Sequence, residues 1–139
     1  MKPLIFLLAM LFAQVAYANP YPFNITRVID GDTVEFEAPF MPDPLPKRLV
    51  IRVLGIDTPE KGSRAKCQKE NIMARAATEF TIKSIRGAKT LFVELKEHDK
   101  YGGRVLGDII IYGKRLSHML IDKGLARPYY GEKKASWCD

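Results

Sequence analysis

The chain has 139 residues, of which 22 are Lys or Arg and 16 are Asp or Glu, so its formal net charge is +6. This length is sufficient for one domain with a modest core and too short for two. The positive excess favours polyanionic partners through long-range attraction, although a basic surface that serves solubility alone would have the same composition.

The N-terminal segment has the pattern of a secretory signal peptide. Lys2 is followed by an apolar run from Leu4 to Phe12 and by the cleavage pattern Ala16-Tyr17-Ala18. A membrane anchor is the alternative, but the run is short for a transmembrane helix. We therefore expect a signal peptide over 1–18, one domain over 19–139, and an exported protein, either periplasmic or secreted.

The segment after the signal peptide has the pattern of a β-hairpin. β-Branched and aromatic residues between Phe23 and Ala38 alternate on both sides of Asp30-Gly31-Asp32, which favours a tight turn. The next nine residues, 38–46, contain four prolines and are typical of a surface loop. A third strand is predicted from Arg48 to Ile56.

A long helix, two further strands and a short helix are predicted in the second half. The helix runs from Cys67 to Arg86 and is terminated by Gly87. Strands are predicted over 89–96 and 104–112, and the short helix over 116–123. The predicted apolar face of the long helix consists of Ile72, Met73, Ala76, Ala77 and Phe80.

This order of elements favours a β-barrel with helices, of the α+β class. Strands interrupted by one helix are typical of an antiparallel barrel rather than a doubly wound sheet. A five-stranded Greek-key barrel of the OB type fits the order.

The two cysteines, Cys67 and Cys138, are predicted to form one intrachain disulfide. Export would place both in an oxidising compartment, where an even number of cysteines usually pairs. The bond would close a loop of roughly 70 residues and contribute about 4 kcal/mol in the chain-entropy model. Two separate thiols are the alternative.

Four acidic residues, Asp30, Asp32, Asp57 and Glu60, cluster at the ends of predicted strands. Carboxylates gathered at one mouth of a barrel need a cation, and oxygen ligands without His or Cys favour calcium or magnesium. The alternative is that Asp30 and Asp32 only form the hairpin turn, because Asp-Gly-Asp favours a turn by itself.

Two arginines are candidates for anion binding. Arg52 lies within an otherwise apolar strand, and Arg104 follows the Gly102-Gly103 pair. A guanidinium group matches a phosphate with two charge-assisted hydrogen bonds. Alternatively, Arg52 points to solvent or pairs with a carboxylate.

The segments VIDGDTV, IRVLGIDTPE, DKYGGR and GLARPYY occur in the order and spacing of the staphylococcal (micrococcal) nuclease family. The chain resembles this family over essentially its whole mature length. The resemblance implies an OB-type barrel with about three helices. It also implies a calcium-dependent endonuclease that hydrolyses DNA and RNA at the 5′ P–O bond and leaves 3′-phosphate ends.

The same resemblance implies a role for each motif residue. Asp32, Asp57 and the backbone carbonyl of Thr58 would hold Ca2+, and Asp30 would be a turn residue. Glu60 would act on the attacking water as a general base or by positioning it. The residues expected to bind the scissile phosphate are Arg52 and Arg104, and those expected to contact the neighbouring phosphate and nucleotide are Lys100, Tyr101 and Tyr130.

The sequence departs from the family pattern at three places. Gly103 is inserted before the arginine of the usual DKYGR motif, so Arg104 would reach the site from a longer turn. The loop after Glu60 is KGSRAKC, whereas the type enzyme of the family has a longer, lysine-rich loop there. The chain ends at WCD without the longer helical tail, and the Cys67 to Cys138 bond would replace that anchorage.

The main rival is a noncatalytic OB-fold module that binds nucleic acid through basic and aromatic groups. Such a module has no need for the five groups Asp32, Arg52, Asp57, Glu60 and Arg104 together, and all five are present. We therefore expect a nuclease that acts on DNA and RNA as a monomer.

Overall fold

The computed structural model describes residues 24–100 and 102–139. The predicted signal peptide, residues 1–18, lies outside the described residues. Tyr101, which was predicted to bind the substrate, also lies outside them. In the part of the chain that is described, no helix has the length and apolar character needed to cross a bilayer.

Strands predominate in the described residues, together with two α-helices and a short 3-10 helix at Gly62–Arg64. About three helices were predicted, and the third is this single turn. The five longer strands are β1 (Ile25–Asp30), β2 (Thr33–Glu37), β3 (Arg48–Val53), β5 (Leu91–His98) and β6 (Arg104–Ile111). The short strands are β4 (Ile56–Asp57), β7 (Lys114–Arg115) and β8 (Arg127–Pro128). The α-helices are α1 (Gln68–Arg86) and α2 (Leu116–Asp122).

The five longer strands form one sheet in the order β1-β2-β3-β6-β5. All neighbours are antiparallel except β3 and β6, which are parallel. The expectation of a purely antiparallel barrel is wrong at this pair, because the connection through α1 and β5 is long enough for β6 to enter the sheet in the direction of β3. The predicted class, an OB-type barrel with helices, is confirmed. Within the described residues, no ladder between β1 and β5 closes the barrel.

The core lies between the sheet and the two helices. Its largest fully buried side chains include Phe36 and Ile51 from the sheet and Leu116 and Leu120 from α2. Burying each of these side chains contributes about 1.5–3 kcal/mol. This packing fixes the strand ends from which the polar groups of the site project.

Helix α1 packs closely on the β1-β2 turn. A Cβ atom at Gly31 would lie 2.8 Å from the Cβ of Ala77, so only glycine allows this approach. The Thr81 hydroxyl also donates to the Gly31 carbonyl at 2.7 Å. Small residues are therefore required on the inner face of the helix, where Ala74, Ala77 and Thr81 are buried.

The predicted apolar face of α1 is thus partly wrong. Ile72 is 59% exposed and Ala76 is also exposed, whereas Ala77 is buried and Phe80 packs at the edge of the core. The bulkier residues were favoured by hydrophobicity alone, but the close approach of the turn selects a face of small side chains.

The predicted disulfide between Cys67 and Cys138 is confirmed, with Cα atoms 5.9 Å apart. Cys67 is also the N-cap of α1, and its Sγ accepts a hydrogen bond from the Glu70 amide at 3.4 Å. The bond therefore attaches the C-terminal segment to the first turn of the long helix.

Candidate active site

A groove of about 690 Å³ opens where the β1-β2 turn, the end of β3, the start of β6 and the C-terminal segment meet. It collects seven of the nine residues predicted from the sequence, namely Asp32, Arg52, Thr58, Glu60, Lys100, Arg104 and Tyr130. Asp57 lies beside it and lines an adjoining cavity of about 610 Å³ that Glu60 also lines. Tyr101 falls outside the described residues.

Asp32 and Arg52 form a buried ion pair at the floor of the groove. Strand pairing creates this contact, since Arg52 lies opposite Thr33 and the Val53 amide donates to the Asp32 carbonyl at 2.7 Å. Burial opposes ionisation of Asp32, but the charge and hydrogen bonds of Arg52 outweigh it and lower the pKa of the carboxyl. Both groups are therefore charged at neutral pH.

Two further hydrogen bonds fix the Asp32 carboxylate, and one of them comes from the segment that follows β4. Its carboxylate accepts from the Thr33 hydroxyl at 2.9 Å and from the Thr58 amide at 3.3 Å. The groove thus joins the VIDGDTV and IDTPE motifs through one side chain.

Asp30 lines the groove in addition to forming part of the turn between β1 and β2. Its side chain lines the groove and forms an ion pair with Arg64 at 3.4 Å, while its Oδ1 is buried and has no hydrogen-bond partner among the described residues. Burial, followed by the negative charge of Asp32, raises the pKa of Asp30. An additional positive charge would therefore be favourable beside these two carboxylates.

The Asp57 carboxylate is buried and is held from the C-terminal segment. Its Oδ1 pairs with the Lys134 ammonium at 2.6 Å, and its Oδ2 accepts from the Trp137 indole at 3.2 Å. Burial acts to lower the pKa of Lys134, but hydrogen bonding and attraction to Asp57, with a smaller effect of Glu60, raise it. Neither of these contacts was anticipated from the sequence.

Glu60 is half-buried at the edge of the groove between two cations. Its carboxylate lies 3.2 Å from the Arg64 guanidinium and 3.6 Å from the Lys134 ammonium. With 34% of its side chain exposed, the group is accessible to water.

Glu70 fixes the loop that carries Glu60. This buried carboxylate, in the first turn of α1, accepts from the amide of Glu60 at 3.1 Å and from that of Lys66 at 2.7 Å. This role of Glu70 was not predicted from the sequence. The available signal was the pattern Cys67-x-x-Glu70, a variant of the capping box in which the glutamate reaches back to the preceding loop.

Arg104 reaches the groove despite the insertion of Gly103. Gly102 and Gly103 have φ values of 71° and 68°, so the turn absorbs the additional residue in the left-handed region that glycine tolerates. Arg104 then begins β6 opposite Val50, and its guanidinium pairs with Asp99 at 2.6 Å. Both predicted phosphate-binding arginines therefore line one groove from neighbouring parallel strands.

Lys100 and Tyr130 lie at the outer part of the groove. The Tyr130 ring is 82% exposed and passes over Gly55, where an added Cβ would lie 3.3 Å from the ring. The preceding residue, Tyr129, donates its amide to the Gly55 carbonyl at 2.9 Å. An exposed aromatic surface next to cationic groups is suitable for stacking with a nucleobase.

The oxygen atoms around Asp32 and Asp57 are of the kind that a hard metal ion prefers as ligands. They are carboxylate and carbonyl oxygens, and one neighbouring carboxylate oxygen, Oδ1 of Asp30, is buried and has no hydrogen-bond partner in the part of the chain that the structure describes. Within the described residues, no three acidic, His or Cys side chains are grouped as a metal-binding cluster. The predicted set needs only two such side chains, because its third ligand is the Thr58 carbonyl.

A comparison with known families decides the relationship. The model of a family described as staphylococcal nuclease homologue matches residues 50–137. The chain belongs to the staphylococcal nuclease family. The matched segment includes Arg52, Asp57, Glu60 and Arg104, while the hairpin with Asp32 precedes it.

Two individual proteins are also similar to this member of the staphylococcal nuclease family. The thermonuclease of Staphylococcus hyicus is 30% identical over 120 residues, which are 83% of this chain and 63% of the thermonuclease. An uncharacterized 38.1 kDa protein of Capnoides sempervirens is 32% identical over 103 residues, which are 74% of this chain and 28% of that protein. The chain thus spans less than two thirds of both relatives.

Proposed function

We propose that this chain is a calcium-dependent endonuclease that hydrolyses the 5′ P–O bond of DNA and RNA and leaves 3′-phosphate ends. The observation that carries the proposal is the grouping of Arg52, Arg104 and Glu60 around one groove that also contains the Asp32 carboxylate. Membership of the staphylococcal nuclease family and the similarity to a thermonuclease support it further.

The two arginines are suited to bind the scissile phosphate. Each guanidinium group has five N–H donors in a planar fork, so pairing with Asp32 or Asp99 leaves further donors for phosphate oxygens. As the phosphorus gains a fifth oxygen, negative charge develops on the equatorial oxygens. Fixed guanidinium groups stabilise that charge without reorganising.

Glu60 is the group of this site suited to act on the attacking water. Its carboxylate lines the groove and is partly exposed, and Glu70 holds its backbone. In this role it accepts a hydrogen bond from the water and takes up its proton as the new P–O bond forms. The 5′ P–O bond breaks in the same displacement, and the departing 5′ oxygen takes a proton from solvent. Arg64 and Lys134 pair with this carboxylate and hold it at the edge of the groove.

Asp32, Asp57 and the carbonyl of Thr58 are proposed to hold Ca2+. Held by these residues, Ca2+ would supply positive charge to the phosphate oxygens. The ion pair with Arg52 keeps Asp32 ionised until the ion binds, and Lys134 pairs with the carboxylate of Asp57.

Lys100, Tyr101 and Tyr130 are proposed to contact the phosphate and nucleotide next to the scissile bond. We also propose that the protein is exported, either to a periplasm or out of the cell, and acts as a monomer. The disulfide supports export, because such bonds persist in oxidising compartments.

Cleavage assays with the purified, oxidised chain test the function. Single- and double-stranded DNA and RNA are incubated with calcium, with magnesium alone, or with chelator, and the product ends are analysed for 3′-phosphate. We expect calcium-dependent cleavage. Binding without cleavage under every metal condition would favour the noncatalytic OB-fold module instead.

Two variants test the assignment of Glu60. Glu60→Gln keeps the shape of the side chain but removes its basicity, so we expect turnover to fall by orders of magnitude with little change in thermal stability. Arg48→Ala is the control, since this arginine lies outside the groove at the other end of β3. Near-normal cleavage by Glu60→Gln would contradict the mechanism.

A further inference from the structure

The C-terminal segment Ser136–Cys138 is fixed against Asp57 by several independent contacts. The Trp137 side chain is 5% exposed, and its indole N–H donates to Oδ2 of Asp57 at 3.2 Å. The Arg127 guanidinium covers the ring at 3.7 Å from its centroid and donates to the Ser136 carbonyl at 2.6 Å. The Arg127 backbone is itself paired with Asp57 across β4 and β8.

The disulfide supplies the anchor at the end of this segment. Cys138 follows Trp137 directly and is bonded to Cys67, the N-cap of α1. The Cys138 amide also donates to the Ser136 hydroxyl at 3.0 Å, which folds the segment into a tight turn. The bridge therefore fixes the backbone immediately next to the indole.

The two partners of Asp57 act differently on its carboxylate. Lys134 neutralises it, whereas an indole N–H is an uncharged donor that fixes the direction of the oxygen atoms and leaves the negative charge in place. A donor of the second kind restricts a metal ligand to one orientation, and such outer contacts commonly change metal affinity by 10- to 100-fold.

We propose that Trp137, held by the Cys67–Cys138 bond, is the positioning residue of the metal ligand Asp57, so that calcium affinity depends on the oxidised bridge. The inference rests on the proposed function, because it takes Asp57 to be a calcium ligand. It extends the site to a residue that does not line the groove.

Calorimetric titration of calcium provides the first test. Trp137→Phe keeps an aromatic ring beneath Arg127 but removes the N–H, and we expect calcium to bind about 10-fold more weakly. Tyr112→Phe is the matched control, since it removes a hydroxyl that bonds to Gly87 and Lys89 away from the groove. Equal calcium affinity in wild type and Trp137→Phe would overturn the proposal.

A double-mutant cycle tests whether the bridge acts through Trp137. The Cys67→Ser/Cys138→Ser variant removes the bond while serine can still cap α1. We expect a comparable loss of calcium affinity, and little further loss when Trp137→Phe is added. If the two changes weaken calcium binding independently, so that their factors multiply, the bridge does not act through the indole. Full calcium affinity in the bridge variant would contradict the inference in the same way.

The hydrogen bond can also be observed without calcium and without an indole substitution. The chain contains one Trp, so its indole N–H gives a single proton–nitrogen resonance. We expect Asp57→Asn to shift this resonance markedly, and an unchanged resonance would overturn the proposal even if Trp137→Phe does not fold.

Failure of the proposed function gives a different result. Wild-type protein would then neither bind calcium nor cleave nucleic acid, and the inferred dependence of calcium affinity on the bridge would be overturned with it. Calcium binding and cleavage that are normal in both wild type and Trp137→Phe would overturn the inference alone.

Discussion

The carboxylate of Asp32 and the guanidinium of Arg52 form a buried ion pair between β2 and β3. One partner is a proposed metal ligand and the other a proposed phosphate ligand. Each therefore stabilises the ionised form of the other before substrate or metal binds. This pair makes Arg52 important for stability as well as for catalysis.

We predict that Arg52→Ala abolishes most activity and also destabilises the calcium-free protein. Asp32 would remain as a buried, unpaired charge, and breaking such a pair typically costs about 3–5 kcal/mol. Urea denaturation in the presence of chelator measures this cost.

Two further variants separate charge from packing in that result. Asp32→Asn introduced into Arg52→Ala should restore part of the stability, because the unpaired charge is gone. Arg48→Ala should cost less than about 1 kcal/mol, since its pair with Glu35 is exposed on the arginine side. Equal costs for Arg48→Ala and Arg52→Ala would contradict the role of the buried pair.

Lys134→Met should strengthen calcium binding severalfold. The ammonium lies 2.6 Å from Oδ1 of Asp57 and competes with a metal ion for the same carboxylate. Because Lys134 is partly exposed, the gain should be modest and should shrink as ionic strength rises. Calcium titration at two salt concentrations measures it, and the neighbouring Lys133→Met serves as the control. Weaker calcium binding by Lys134→Met would show that the lysine supports the site rather than competes with the ion.

Reduction of the disulfide should lower the melting temperature. The bonded cysteines are 71 residues apart, and closing a loop of that size contributes about 4 kcal/mol in the chain-entropy model. Thermal unfolding with and without reductant measures the shift. Thiol titration of the native, unreduced protein should find no reactive cysteine, and two reactive thiols would contradict the bond.

Ionisation of the Asp108 carboxyl should lower the free energy of unfolding as pH rises. Burial raises the pKa of this carboxyl, although hydrogen bonds from Ser117 and Ile109 and the charge of Arg115 act in the opposite direction. A group whose pKa is higher in the folded state binds its proton more tightly there. Its unfavourable contribution therefore sets in above about pH 4 and grows until pH passes the folded-state pKa.

Asp108→Asn cannot ionise and isolates this effect. We expect its free energy of unfolding, relative to wild type, to increase as pH rises from about 4. Urea denaturation of both proteins across this range measures the difference. A difference that stays constant with pH would contradict the raised pKa.

Local patterns predicted the elements well where the determining residues are close in sequence. The turn at Gly31 and the end of α1 at Gly87 follow from turn and C-cap preferences, and the extent of α1 was predicted from the helical spacing of its apolar residues. The acidic residues Asp30, Asp32 and Asp57 were likewise assigned to strand ends, which is where the structure has them.

Contacts between distant residues could not be predicted in this way. The parallel pairing of Val50 with Arg104 depends on the route of the chain through α1 and β5. The hydrogen bond from the Trp137 indole to Asp57 joins residues that are 80 positions apart, and no local sequence pattern predicts it. The small-residue face of α1 depends on how closely the turn at Gly31 approaches.

The groove draws its parts from both ends of the domain. The hairpin, β3 and the loop after β4 supply Asp30, Asp32, Glu60 and Arg52, whereas Arg104 and Lys134 come from the second half. A chain that emerges residue by residue therefore carries its acidic groups long before it carries the second arginine and the bridged tail. The proposed nuclease activity would accordingly be a property of the finished fold rather than of its N-terminal part.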